Sequence, residues 1–198
     1  MISVFDYTTN MAKPWADAGY KCYCVDIKHP QGISRDRNIV RVGVDVLDWL
    51  PPRDEIIFAA FFPPCTDVAV SGARWFKDKG LGGLIQALRL FDWSVKIAEW
   101  LGVPYMIENP VSTVSTYWRR PDYVFQPYEY GAPYYKKTCL WVGGGFRMPK
   151  KCPVEPWQGE KIWRMPPSED RAEKRSETPI EFAEAVFRAN VRILEKAA

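Results

Sequence analysis

The chain reads as an α/β protein, a doubly wound fold on a mostly parallel sheet. Three observations predict this. Short apolar runs alternate with helical patterns from residue 2 to residue 109. The helical pattern from Leu81 to Leu101 is long, with Leu84, Leu88, Phe91, Val95 and Ala98 at steps of three and four. The apolar run at 55–60 suits a strand covered on both faces.

The elements follow in order. ISVFD (2–6) predicts the first strand, and MAKPWADAG (11–19) a short helix stopped at Gly19. YKCYCVDI (20–27) and NIVRVGVDV (38–46) predict the second and third strands. Glu55 to Ala60 predicts the fourth, and VPYMIEN (103–109), after the stop at Gly102, the fifth. Beyond residue 110 proline, glycine and aromatics rise, and only YKKTCLWVG (135–143) reads as a strand. Residues 147–177, rich in proline and charge, read as a long loop or mobile flap. A last helix is expected with Thr178 as N-cap, Pro179 at the first helical position and Glu181 completing a T-x-x-E box.

Composition bounds the rest. The chain has 198 residues, 47% hydrophobic and 26% charged, the balance of one globular domain spanning 1–198. A domain of this size buries roughly 70% of its unfolded surface and needs no metal or disulfide staple. There is no apolar run of about 18 residues and no signal-peptide pattern, so a cytoplasmic protein without membrane contact is expected. Five cysteines without framework spacing fit reduced thiols. Cys22 and Cys24 are too close together for the common zinc patterns, and the only histidine, His29, sits in a KHPQG turn. No metal is therefore expected, nor a nucleophile that relies on histidine. The net charge is +3, but from Arg119 to Arg164 nine Lys+Arg face four Asp+Glu among many aromatics. Such interleaving suits a phosphate backbone with unstacked bases, and equally a solvated face over half-buried rings.

In an open parallel sheet, ligands bind outside the carboxyl ends of the strands. The predicted strands end at Asp6, Asp26 and Asp45, then run into Pro63-Pro64-Cys65 and Glu108-Asn109-Pro110. An acid after the second strand suits ribose hydroxyls, and a nearby acid can accept from an exocyclic amine; turn capping accounts for such positions equally well. Cys65 and Glu108 form the informative pair. A cysteine thiolate can add to C6 of a pyrimidine, which makes C5 able to attack an electrophilic methyl. A carboxyl hydrogen-bonded to N3 and the amino group of cytosine promotes that addition. Lowering the thiol pKa needs positive charge or a helix N-terminus, and Lys136 and Lys137 also suit the substrate's O2 or phosphate.

These residues resemble the DNA (cytosine-5) methyltransferase family, in the short form found in phage and bacterial genomes. The matching pieces stand in the family's order: FDYTTNMAKPWADAGYKCYCVDI, GVDVLDWLPP, FFPPCTDVAVSGARW, MIENP, YGAPYYKKTCLW and RSETPIEFAEAVFRAN. The resemblance implies a Rossmann-like, class I S-adenosylmethionine-dependent methyltransferase fold. It implies methyl transfer from S-adenosyl-L-methionine to C5 of a cytosine flipped out of double-stranded DNA, through a Cys65 adduct. Cys65 would be the nucleophile, Glu108 the acid that holds cytosine and Asn109 the residue that orders the loop. Asp26 with Ile27 would meet the ribose, Asp45 with Val46 the adenine, Phe5 would lie against the adenine or mark the strand end, and Pro64 would shape the pocket. Asp6 and Thr8-Thr9-Asn10-Met11 occupy the cofactor loop, which is glycine-rich in the family and lacks glycine here. The 66–80 loop, with Ser71, Arg74, Trp75 and Lys77, would contact DNA and close at Gly72 and Gly80. With no long recognition domain, 111–135 and 147–177 are the candidate recognition loops. Two readings keep the same residues: pyrimidine modification with another one-carbon donor or a nucleotide substrate, and a non-catalytic nucleic-acid-binding relative.

Overall fold

A computed structural model describes residues 1–161, 166 and 171–194. Eight strands form one sheet: β1 (Ile2–Val4), β2 (Cys22–Val25), β3 (Gly32–Asp36), β4 (Ile39–Gly43), β5 (Ala59–Phe61), β6 (Tyr105–Pro110), β7 (Tyr123–Phe125) and β8 (Thr138–Gly143). Their order is β3-β4-β2-β1-β5-β6-β8-β7. The central run β4-β2-β1-β5-β6 is parallel throughout. β8 runs antiparallel to both β6 and β7, and β3 closes the far edge antiparallel to β4. The expected fold class is present, a Rossmann-like doubly wound α/β sheet whose order reverses between β1 and β5.

Strand alternation builds the two faces. Ile2, Val4, Ala59, Phe61, Tyr105, Ile107 and Trp141 belong to one core with Phe91, Ile97 and Leu101 of helix α2 (Phe76–Leu101). Met1, Phe58, Ala60, Met106 and Leu140 belong to the other core. There they meet Trp15 of α1 (Lys13–Asp17), and Phe182 and Val186 of a C-terminal helix spanning Ile180–Leu194. Because both faces are covered, strand sequences as short as AAF and ISV stay fully buried.

Several expectations are corrected. The fourth strand begins at Ala59, not Glu55, since Arg53–Glu55 form a 3-10 turn whose Glu55 bonds Lys21 Nζ at 2.8 Å and the Tyr23 hydroxyl at 2.7 Å. β3 was not expected; all five of its residues are exposed, so it carries no apolar alternation. β7 is a second strand beyond residue 110 besides β8, which itself starts at Thr138 rather than Tyr135. The same region holds the short helix α3 (Val114–Tyr117). The 66–80 segment is not all loop: Val70–Trp75 is a 3-10 turn, and α2 starts at Phe76 with a break at Gly80 (φ 67°, ψ −173°). The 147–177 flap is partly fastened, by Cys152 N to Glu129 O and Val154 N to Tyr128 O, both at 2.9 Å, and by Gln158 N to Pro133 O at 3.0 Å. It carries helix α4 (Arg171–Ser176), while 162–165 and 167–170 lie outside the described residues. The C-terminal helix, α5, is assigned from Ile180, and Ala183 N donates to Pro179 O at 3.1 Å. No helix among the described residues is long and apolar enough to cross a membrane.

At Gly43 the turn after β2 presses on the end of β4. A Cβ there would stand 2.0 Å from Pro30 O and 2.6 Å from His29 O, both backbone atoms that cannot rotate away. Gly43→Ala is expected to lower the unfolding free energy by about 3 kcal/mol, read as a shift of the urea midpoint. An unchanged midpoint would contradict this packing.

Candidate functional site

The ends of β5 and β6 bring two expected residues into one environment. After Phe61 the chain passes through Pro63 and Pro64 to Cys65, and the Asn109 side chain donates to Pro63 O at 3.0 Å, a buried bond. The Cys65 carbonyl then accepts from Val68 N at 3.1 Å and Ala69 N at 2.8 Å. Val70 N donates to Val111 O and Thr113 N to Val68 O, each at 2.9 Å. The segment that carries Cys65 is thus stitched to the continuation of β6 on both sides of the thiol.

Glu108 sits one residue before Asn109, on the opposite face of β6. Its neighbour is Lys136, whose Nζ lies 3.8 Å from Glu108 Oε1, with each side chain 14% exposed. Lys136 is held from its backbone: its N–H donates to Gln126 Oε1 at 2.8 Å and its carbonyl accepts from the Thr138 hydroxyl at 2.8 Å. Glu108 Oε1 is buried without a hydrogen-bond partner. Burial pushes the Glu108 carboxyl above its ordinary range, and Lys136 pulls it back. Burial likewise pushes the Cys65 thiol up, the Glu108 charge adds to this, and Lys136 opposes it. The three groups therefore act on one another. Lys137, the other expected lysine, is exposed.

Glu108 and Lys136 line a pocket with Phe62, Phe125, Thr138 and Phe182. Its volume is about 10 Å³, room for one water and not for a pyrimidine. Cys65 is not among its lining residues. A group as large as a pyrimidine would fit only if the walls separated. Phe62, Phe125, Thr138 and Phe182 were not anticipated, because apolar residues that line a pocket share their sequence pattern with core residues.

The ends of β1, β2 and β4 hold the remaining acids. Asp6 is buried, and its carboxylate accepts from Ser3 Oγ and Thr8 Oγ1 at 2.8 Å each and from Met11 N at 3.3 Å. Burial pushes it above the usual carboxylate range, and these bonds pull it down. Asp6 therefore braces its own loop. Met11 is fully buried, and Asn10 Nδ2 donates to Thr178 O at 3.1 Å. Without glycine, the loop turns through non-glycine residues at positive φ: Phe5 at 60° and Thr9 at 60°. Such backbone costs about 1–3 kcal/mol per residue and persists where surrounding structure enforces it. Asp26 accepts from Lys28 N at 2.8 Å, and Asp45 accepts from Leu47 N at 3.0 Å. Both acids cap turns, through Oδ1 in each case, and each has a second oxygen outside those bonds. Val46 is buried and Ile27 is exposed. His29 was not given a role; it is buried against Tyr7, with ring centroids 5.4 Å apart and Nε2 unpartnered. Ser71, Arg74, Trp75 and Lys77 are exposed on the 3-10 turn and the start of α2, with Arg74 over the Trp75 ring at 5.0 Å. No group of three or more metal-ligating side chains occurs among the described residues.

A raised thiol pKa leaves a smaller thiolate fraction at a given pH. Cys65 is expected to react with iodoacetamide at pH 8 several-fold more slowly than exposed Cys152, read by peptide mass spectrometry. Glu108→Gln removes the charge that raises the thiol pKa and should speed Cys65 alkylation, whereas Lys136→Met should slow it. Equal rates in all three proteins would contradict the shared environment.

No family model and no curated protein matches the chain. Among solved structures, it is similar to a chain encoded within a prophage of E. coli, assigned only provisionally as a DNA modification methyltransferase, at 14% identity and a TM-score of 0.49. The match covers 78% of this chain and 52% of the other, so this chain spans about half of that one's length.

Proposed function

We propose that the chain methylates C5 of cytosine in DNA, with S-adenosyl-L-methionine as donor and Cys65 as nucleophile. The observation that carries this reading is the tie between the segment that carries Cys65 and the end of the adjacent parallel strand β6, where Glu108 stands against Lys136. The sheet alone does not specify chemistry.

Each side chain has a defined task. Glu108, whose proton is favoured by burial, donates to N3 of cytosine and accepts from its amino group through the other oxygen. N3 gains a proton as the Cys65 thiolate forms a bond to C6, and the electron pair of the C5–C6 bond moves toward C5. Lys136 offsets the charge on Glu108 or sulfur and stands beside the pocket where O2 would lie. After C5 is alkylated, its proton leaves to solvent, expulsion of the thiolate restores the aromatic ring, and N3 returns its proton to Glu108. Pro63 and Pro64 limit the backbone freedom of the attacking residue, and Asn109 fixes their position.

The acids at the strand ends suit the donor. Asp26 and Asp45 each have an oxygen outside their turn-capping bonds, at the ends of neighbouring parallel strands β2 and β4. That pair suits ribose hydroxyls and an exocyclic amine, so the adenosine half fits. Phe5, Asp6 and the Thr8–Met11 turn would border the methionine half. When bound, the group supplies an electrophilic methyl.

A second reading, nucleic-acid binding without methylation, is favoured by one observation, the pocket that holds only one water. One experiment separates the two. DNA incubated with protein and S-adenosyl-L-methionine is digested, and its nucleosides are measured by mass spectrometry. Appearance of 5-methylcytosine, absent with Cys65→Ser and reduced at least about a hundredfold in rate with Glu108→Gln, is the expected result. DNA binding without any modified cytosine would reject the proposal. The rate should show a bell-shaped pH profile, since thiolate must form at Cys65 while Glu108 keeps its proton. Glu108→Gln removes the titrating acid, so the falling limb should disappear, and the rising limb should move to lower pH because no Glu108 charge raises the Cys65 thiol.

A further inference from the structure

A second and larger concavity opens on the other side of the Cys65 segment. Its volume is about 410 Å³, within the range of ligand sites. It is lined by Asp67, Lys77, Lys79, Leu81, Thr113 and Tyr117 among others. Two chain segments connect it to the Glu108 pocket. Phe62 and Glu108 line the pocket, while Asp67 and Thr113, each five residues further along, line the groove. Five residues span at most about 17 Å. The groove therefore lies within a few nucleotides of any base held by Glu108.

Its chemistry is specific. Tyr117 is 64% exposed and presents a ring to solvent at the groove. Lys77 is exposed and forms no ion pair among the described residues. Lys79 bonds Asp67 Oδ1 at 3.0 Å and donates to Thr66 O at 2.6 Å, which ties the start of α2 to the residues just after Cys65. The chain breaks from helical geometry at Gly80, directly after this lysine. Thr113 adds a hydroxyl with no hydrogen-bond partner. Exposed aromatic faces beside lysines are the elements that hold unstacked nucleic acid. Trp75, with Arg74 over its ring, extends the same surface.

We infer that this groove binds a nucleotide flanking the target cytosine on the same strand, its phosphate between Lys77 and Lys79 and its base on the face of Tyr117. The inference rests on the reading that a nucleic-acid strand reaches Cys65, and names where that strand runs. Asp67, the acid in the groove lining, competes with the phosphate for Lys79, and exposed Asp78 lies between the two lysines in sequence. A bound phosphate thus loosens the Lys79 tie to Thr66 and Asp67, the residues just after Cys65.

The test uses fluorescence anisotropy with two short labelled single strands, oligothymidine and the same strand with one central cytosine. The wild-type chain is expected to bind both. Lys77→Ala should weaken both equally and reduce the salt slope by about 0.7, one phosphate contact on a single strand. Tyr117→Ala should weaken both about tenfold. Both altered groove residues are exposed, and their folding is checked by the urea midpoint. The inference is overturned if oligothymidine does not bind, if Lys77→Ala and Tyr117→Ala bind like wild type, or if polyglutamate shows the same loss with Tyr117→Ala. It is also overturned if sedimentation shows a dimer that Leu81→Ser abolishes, for the groove then belongs to a second copy. Loss of binding in the groove variants, with no modified cytosine from the wild type, upholds the groove and rejects the chemistry. Modified cytosine with normal binding by those variants does the reverse.

Discussion

One buried hydrogen bond sets the geometry on which the site depends. Asn109 Nδ2 holds Pro63 O at 3.0 Å, joining chain segments 46 residues apart. On one side it fixes the proline pair before Cys65. On the other it sits next to Glu108, so the thiol and the carboxyl take their separation from the same contact. The sheet makes this possible, because β5 and β6 are parallel neighbours whose chains leave the core at the same edge. Leaving the amide unpaired in this buried setting costs about 1–3 kcal/mol. The Asn109 amide oxygen is itself buried without a partner, so the contact is held by the packing around it and not by a wider polar network.

The electrostatics of the site oppose its resting reactivity. Burial raises the pKa of both Cys65 and Glu108, and the Glu108 charge raises the Cys65 thiol further. Lys136 is the described cation that relieves both. A thiol whose pKa is pushed up by burial and by a neighbouring carboxylate offers less thiolate at a given pH. A base that takes the Glu108 proton at N3 gives Glu108 and Lys136 partners in the ring. The narrow pocket has room for one water beside Glu108 and Lys136. Tension elsewhere has the same character: Phe5 at φ 60° marks the end of β1 where close approach to a ligand usually requires glycine.

Much of this was legible in the residues. The parallel strands were readable because their apolar runs are bounded by turn signals, and the pairing of PPC with IEN at strand ends follows from their order alone. The elements that escaped detection lacked that signal. β3 is polar on both faces, and β7 has three residues. Glu55 looked like a strand start because the run IIFAAFF follows it, yet its side chain belongs to a surface cluster with Lys21 and Tyr23. Among site residues, Lys136 and Lys137 were indistinguishable in sequence; only the register of β8 turns the first toward Glu108 and leaves the second outside. The acids at 26 and 45 illustrate the opposite limit, since each caps a turn with one oxygen, as turn chemistry alone would place it, and the ligand role belongs to the proposed function. The pocket's closure and the groove at Tyr117 depend on distances between segments, which no local pattern encodes.

The central claim is that Cys65 and Glu108 act together on one pyrimidine ring, and exchange of the ring's C5 hydrogen tests it without any methyl donor. Addition of the thiolate to C6 and its reversal in deuterium oxide replace hydrogen at C5 of cytosine. Incubation of a cytosine-containing strand with the chain should build up C5 deuterium, measured by nucleoside mass spectrometry, and Cys65→Ser should abolish it. Absence of exchange with the unaltered chain, or exchange that persists in Cys65→Ser, would contradict the account.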